Sequence, residues 1–238
     1  MLKAVLTDID GTITDSSRRI NTGAIDTIRS LVDEGIEVVL ASGNTSCFMD
    51  ALCKMIGTRG TFIAENGGVF RIGYTGTPHI RGDQKVCRAA LELLQAHYRT
   101  QGIELDLYSP AYRYADLAFG RMVPVNEVKT LLKDYPVQVL DTGYAIHLQA
   151  PGVNKGTALI ALAQEMQLLP SDFLAIGDSL NDIQMLTTAG VGAAVANGHQ
   201  DTKSAAQYVA EKEYGDGFVE VVKKYESYLR AAKRSTTI

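Results

Sequence analysis

Ala4-Val5-Leu6-Thr7-Asp8-Ile9-Asp10-Gly11-Thr12-Ile13-Thr14 is a short apolar run that ends on two carboxylates and a glycine. The run reads as a strand, and residues two apart at a strand end can both face the crevice where open α/β sheets bind ligands. Downstream, Thr22 to Glu34 carries Ile25, Ile28, Leu31 and Val32 at helical spacing before Gly35 stops it. Ile36 to Ala41 is β-branched and runs into Ser42-Gly43-Asn44, Thr45 to Ile56 predicts a second helix closed by Gly57, and Thr61 to Ala64 a third strand. This alternation implies parallel strands joined by right-handed crossovers: a Rossmann-like, doubly wound α/β core with helices on both faces.

Around Glu65 the pattern changes. Asn66-Gly67-Gly68, Gly73, Gly76 and Pro78 punctuate short extended pieces that read as a hairpin. A helix over 83–99, strands over 104–108 and 114–119, a helix over 125–133 and strands over 137–141 and 145–149 follow, an αββαββ insert of α+β type. After Pro151-Gly152 the alternation resumes with helix 155–167, strand 173–177, helix 181–188 and strand 191–195, and an amphipathic helix over 216–232 closes the chain. The expected organisation is therefore a discontinuous core of residues 1–82 and 152–238 and an inserted cap of residues 83–151.

The composition narrows the function. With 46% hydrophobic and 21% charged residues in 238, the chain can build a core, which excludes disordered and disulfide-scaffold classes. A net charge of -4 argues against nucleic acid as partner, since phosphate neutralisation needs a basic surface. No apolar run approaches the roughly 18 residues of a membrane span, and Met1 to Thr7 lacks the pattern of a signal peptide, so a cytoplasmic protein is expected. Cys47, Cys53 and Cys87 form no Cys-x-x-Cys pair and read as reduced packing residues.

The candidate chemistry sits at strand ends. Asp8 and Asp10 can divide labour as nucleophile or metal ligand and as acid/base, while Gly11 lets the chain turn close to an anion; the alternative is an Asp-Gly turn with a capping Asp. Gly177-Asp178-Ser179-Leu180-Asn181-Asp182 follows another strand, and Asp178 and Asp182 share a face if the helix starts by then, offering the oxygen ligands that Mg2+ prefers; the alternative is a helix cap. Ser42 and Gly43 open a helix where a hydroxyl and backbone N–H groups suit phosphate, or simply cap a turn. Lys155 stands at a helix start, where the dipole disfavours a cation, so it either meets an anion or is solvated. His147, between Ile146 and Leu148, either faces the cleft or lies on the exposed side of a strand, the second being the favoured reading. Arg113, Arg121, Tyr112 and Tyr114 could meet a substrate carboxylate, but surface and packing roles explain most such residues.

In this order, Asp8-Ile9-Asp10-Gly11-Thr12, Ser42, Lys155 and Gly177 to Asp182 resemble the four motifs of the haloacid dehalogenase superfamily, across the whole chain. The insert is similar to the C2-type cap of its Cof and sucrose-phosphatase-like branch, and Leu40 to Asn44 with Ala64 to Gly68 look most like the archaeal phosphoglycolate phosphatases. The resemblance implies that Asp8 forms an aspartyl-phosphate and that Asp10 protonates the leaving alkoxide and then activates water. It implies Mg2+ between Asp8, the Asp10 carbonyl and Asp178, with Asp182 as ligand or anchor, and Ser42, Gly43 and Lys155 around the phosphoryl oxygens. The expected substrate is a small phosphorylated metabolite, 2-phosphoglycolate first, with a monomer or homodimer acting on it. A sugar-phosphate phosphatase, a phosphomutase and a phosphoacceptor signalling module are the alternatives.

Overall fold

In a computed structural model, residues 1–230 are described; the last part of the expected closing helix and the Lys233-Arg234 end lie outside them. The strands β1 (Ala4–Asp8), β2 (Glu37–Ala41) and β3 (Phe62–Ala64) alternate with helices α1 (Thr22–Asp33) and α2 (Ser46–Ile56). The hairpin expected after Glu65 is present as β4 (Val69–Arg71) and β5 (His79–Ile80), which extend the main sheet, β4 antiparallel to β3 and β5 antiparallel to β4. The insert comprises α3 (Gln84–Arg99), β6 (Leu117–Gly120), α4 (Val125–Leu131), β7 (Gln138–Asp141) and β8 (Ala145–Gln149). The chain returns through α5 (Lys155–Glu165), β9 (Phe173–Gly177), α6 (Ile183–Thr188), β10 (Val191–Ala194), α7 (Gln200–Ala205), β11 (Tyr208–Val209) and α8 (Tyr214–Tyr225).

The main sheet has eight strands in the order β11-β10-β9-β1-β2-β3-β4-β5, parallel from β11 to β3. Successive residues of the central strands feed two cores: Val5, Val38, Leu40, Leu174 and Ile176 pack toward α1, α2 and α8, while Leu6, Val39, Ala41 and Ala175 pack toward α5 and α6. Both faces being covered explains why these strands read as unbroken apolar runs. Strand order reverses at β1, where the chain runs outward through β2 and β3 and later returns beside β1 as β9, which opens a crevice at the carboxyl ends.

The insert has its own core, in which Cys87, Leu91, Leu94 and Tyr98 of α3 meet Leu117, Phe119, Ile146 and Leu148 of a three-stranded antiparallel sheet ordered β6-β8-β7. The αββαββ expectation needs correction here. The segment 104–108 makes a single bridge, Leu107 to Phe119, flanked by the bonds Tyr108 N to Ala118 O and Gly120 N to Asp106 O. Ser109 then takes a left-handed conformation, φ 52°, ahead of Pro110, and turns the chain out of the sheet before a strand can form. Of the cysteines, Cys53 and Cys87 are buried as expected of packing residues, whereas Cys47 is exposed. No helix among the described residues is long and apolar enough to cross a membrane.

Candidate active site

Register brings the candidate residues to one sheet edge. Asp8 pairs with Ala41, so Ser42 follows beside it, and Thr7 pairs with Ile176, so Gly177 and Asp178 continue on the other side. Lys155, the first residue of α5, is fully buried rather than solvated. Asn154 caps that helix through its side chain, which accepts from Thr157 N at 2.8 Å, and so fixes where the lysine starts. Lys155 Nζ donates to Asp8 Oδ1 and, at 2.6 Å, to Asp182 Oδ1. Burial alone lowers an ammonium pKa, but Asp182 and Asp8 reverse this and hold Lys155 above the ordinary lysine range.

Asp182 has no oxygen to spare. Its Oδ2 accepts from Asp178 N at 3.0 Å and Ser179 N at 2.9 Å, so it fastens both the lysine and the loop that carries Asp178. The shared helical face expected for Asp178 and Asp182 is not the reason they converge. The segment Leu180–Asp182 is a 3-10 turn and α6 begins only at Ile183, so a turn closed by the Asp182 side chain brings them together. Asp178 accepts from Thr12 Oγ1 at 2.8 Å and Ser179 Oγ at 3.0 Å, and burial, with Asp182 next to it, pushes its carboxyl up to about 6.

Asp8, Asp178 and Asp182 each offer a carboxylate oxygen within 4.8 Å of the others. Lys155 pairs with Asp8 and Asp182 in a buried place, and half-buried Asp178 stands beside them, so carboxyl groups outnumber the ammonium three to one. Asp8 registers the imbalance: burial, then Asp182 and Asp178, push its carboxyl well above the usual range against the pull of Lys155. Hard oxygen donors in excess of the one ammonium fit a hard divalent cation. Gly11, at φ 90°, leaves room for this cluster, since a Cβ there would lie 2.4 Å from Asp178 Oδ2.

A cleft of about 640 Å³ stands over this floor, lined from the core by Asp8, Asp10, Ser42, Gly43 and Asn66 among others. Asp10 is exposed to it, with Oδ2 3.3 Å from Asn44 Nδ2, and Ser42 Oγ accepts from Asn44 N at 3.1 Å and Nδ2 at 3.0 Å. Asn66 Oδ1 accepts from Asn181 Nδ2 at 3.0 Å, while its own buried Nδ2 has no partner among the described residues. Asn66 reads in the sequence only as part of an Asn-Gly turn; its φ of 52°, which Asn tolerates, is what aims the amide inward. All seven candidate residues meet in this floor.

The roof comes from the insert, through Leu107, Tyr108, Ser109, Arg113, Tyr144 and His147 among others. His147 is not on an exposed strand face: it is buried, lines the cleft, and places Nδ1 2.8 Å from Asp116 Oδ2. Arg113 donates to Asp116 Oδ1 at 2.6 Å, to Tyr108 O at 2.9 Å and to Gly43 O at 3.2 Å. Burial opposes ionisation of Asp116, but the hydrogen bond from His147 and the Arg113 guanidinium hold its carboxyl below the ordinary range. Arg121 instead pairs with Asp141 at 2.9 Å on the surface, and neither it nor Tyr112 nor Tyr114 lines the cleft. Roof and floor are tied by Glu65, which accepts from the backbone N–H groups of Tyr114, Ala115 and Asp116.

Known proteins share this arrangement. A family model described as haloacid dehalogenase-like hydrolase matches residues 5–116 and 125–222. A phosphoglycolate phosphatase of Methanoculleus marisnigri is 61% identical over 231 residues, covering 96% of this chain and 99% of that protein. A second, of Methanospirillum hungatei, is 49% identical over 97% of this chain and all of its own length. Among solved structures, Thermoplasma acidophilum 0175 superposes with a TM-score of 0.84 at 28% identity, covering 95% of this chain and 99% of that one. A haloacid dehalogenase-like hydrolase of Bacteroides thetaiotaomicron, 20% identical with a TM-score of 0.77 over 94% and 99%, shares the fold. A match that spans both halves of the split sheet and most of the insert, with relatives aligned end to end, leaves one conclusion: the chain belongs to the haloacid dehalogenase-like hydrolases.

Proposed function

We propose that this hydrolase is a Mg2+-dependent phosphomonoesterase that converts 2-phosphoglycolate to glycolate and phosphate in the cytoplasm. The observation that carries the reading is the floor itself, buried Asp8 and Asp182 sharing the Lys155 ammonium with half-buried Asp178 beside them at the ends of β1 and β9, beneath a cleft with Asp10 at its edge. The substrate follows from the names of the relatives and from a roof that leaves room for a small molecule. Free cysteines fit a reducing compartment.

Lys155 holds Asp8 through Oδ1, which leaves Oδ2 to attack phosphorus. As the P–O bond to the glycolate oxygen breaks, the Asp10 carboxyl gives that oxygen its proton. Asp10, now a carboxylate, takes a proton from a water whose oxygen attacks the phosphorus of the aspartyl-phosphate, and the Asp8 carboxylate and inorganic phosphate are released. The Ser42 hydroxyl, the Gly43 amide and the unpartnered Asn66 amide belong to cleft-lining residues and would meet the charge that spreads over the phosphoryl oxygens, with the Lys155 ammonium behind Asp8 adding positive potential. Asp8, the Asp10 backbone carbonyl and Asp178 would hold Mg2+, while Asp182, with both oxygens engaged, anchors Lys155 and the Asp178 loop. The chemistry such an ion supplies when bound is positive charge that returns Asp8 to its carboxylate and neutralises the phosphoryl oxygens. Residues 83–151 serve as the cap that limits substrate size and excludes water.

The test is a hydrolysis assay over a panel of phosphorylated metabolites, with and without chelator. The highest kcat/KM for 2-phosphoglycolate, abolished by chelator and restored by Mg2+, is expected. Preference for hexose phosphates would replace the substrate and keep the mechanism, and a stable phosphoprotein without turnover would replace both by a signalling module.

A further inference from the structure

The cleft is electrically lopsided. Its acidic lining residues, Asp8 and Asp10, both belong to the floor, whereas the roof contributes Arg113 and His147 and no carboxylate, and the core's one lining cation, Arg18, lies against the roof, over the Tyr144 ring. The carboxylate that accompanies these two, Asp116, is fully enclosed behind them, with Oδ1 taken by Arg113 and Oδ2 by His147. An enclosed, ionised Asp116 accepts hydrogen bonds only, so the proton of that contact sits on His147 Nδ1. The other ring nitrogen, Nε2, has no partner among the described residues, in a side chain that lines the cleft.

We propose that His147 Nε2, held in place by Asp116 and flanked by Arg113, is the specificity-determining contact for a second anionic group on the substrate, the end remote from the phosphate. The proposal rests on the phosphomonoesterase reading and names the group that the roof selects. A carboxylate brought against Nε2 is met by the imidazolium formed when Nε2 takes a proton from solvent, and Asp116 on the far side of the ring balances that charge, as second partners of histidine commonly do. A hydroxyl or methyl tail in the same place gains no such charge-assisted bond. Asp116 is thus a positioning residue: it reaches the substrate only through the imidazole. Arg113 has spent Nε and Nη1 on Tyr108 O, Gly43 O and Asp116, so only its Nη2 is left to assist His147.

The discriminating variant is His147→Asn, whose side-chain amide can still donate to Asp116 from the place of Nδ1 while the Nε2 position is deleted. The readout is the ratio of kcat/KM for 2-phosphoglycolate to that for ethyl phosphate, which lacks the acid. The ratio is expected to fall at least about tenfold in His147→Asn, mainly through KM, and to recover in part in His147→Gln, which returns an amide near the Nε2 position. Asp116→Asn should lower the same ratio, because the imidazole loses its fixed tautomer. In parallel, the inhibition constant for phosphonoacetate should rise in His147→Asn while that for inorganic phosphate holds. An unchanged ratio, or an equal fall for both substrates, overturns the proposal. Wild-type enzyme that cleaves ethyl phosphate as well as 2-phosphoglycolate overturns it while leaving the phosphatase standing; enzyme that cleaves neither overturns both.

Discussion

Floor and roof of the cleft are built on opposite plans. The floor sets three carboxyl groups beside one ammonium that pairs with only two of them, whereas behind the roof Asp116 is fully engaged by Arg113 and His147. An unbalanced cluster invites a cation and a phosphoryl group; a balanced one gives its outward-facing nitrogens a fixed direction. The proposed function places the chemistry at strand ends of the core and the choice of substrate in a sheet of the insert, and Glu65 joins the two.

The contrast is broken most severely at the floor. Asp8→Asn should reduce kcat by at least about a thousandfold while the far-ultraviolet circular dichroism stays that of wild type, since the amide keeps the shape and cannot attack phosphorus. Next in size is Lys155→Met, which leaves Asp8 and Asp182 buried without their shared cation. Urea unfolding at pH 7 without metal should show a loss of about 3 kcal/mol, and adding Mg2+ should restore part of it.

At the junction, burial and the nearby Asp116 carboxylate push the Glu65 carboxyl from 4.5 up to about 7. The folded protein keeps a proton there that the unfolded chain has given up between those values. Its stabilising contribution is therefore complete below pH 4.5 and is lost as pH rises through 7. Wild type should lose on the order of 2 kcal/mol relative to Glu65→Gln over that window, read by unfolding at pH 4.5 and 7.5. The smallest effect is sharpest in meaning: Asn66→Ala should lower kcat/KM about tenfold for acid-tailed and neutral-tailed substrates alike, because its amide serves the phosphate they share.

The two plans also differ in how much of them a sequence displays. Asp8, Ser42 and Asp178 are legible because each follows an apolar run at once, and parallel register carries such ends to one edge. The burial of Lys155 is not, since it depends on Asp8 and Asp182, 147 and 27 residues away. His147 alternates with Ile146 and Leu148, and that period gives its face without saying that a cleft, rather than solvent, lies on it. Glu65 and Asn66 sit in a left-handed pair that local propensity reads as a turn and nothing more. The missing strand at 104–108 has the same origin, because Ser109 is no stronger a breaker than many residues that continue a strand.

The most direct measurement is an acid quench of the wild-type enzyme during turnover of 2-phosphoglycolate, followed by peptide mapping by mass spectrometry. One phosphoryl group on Asp8, lost on mild base and absent from Asp8→Asn, is the predicted result. Full turnover with no phosphorylated peptide, or a phosphoryl group on any other residue, would contradict Asp8 as the nucleophile.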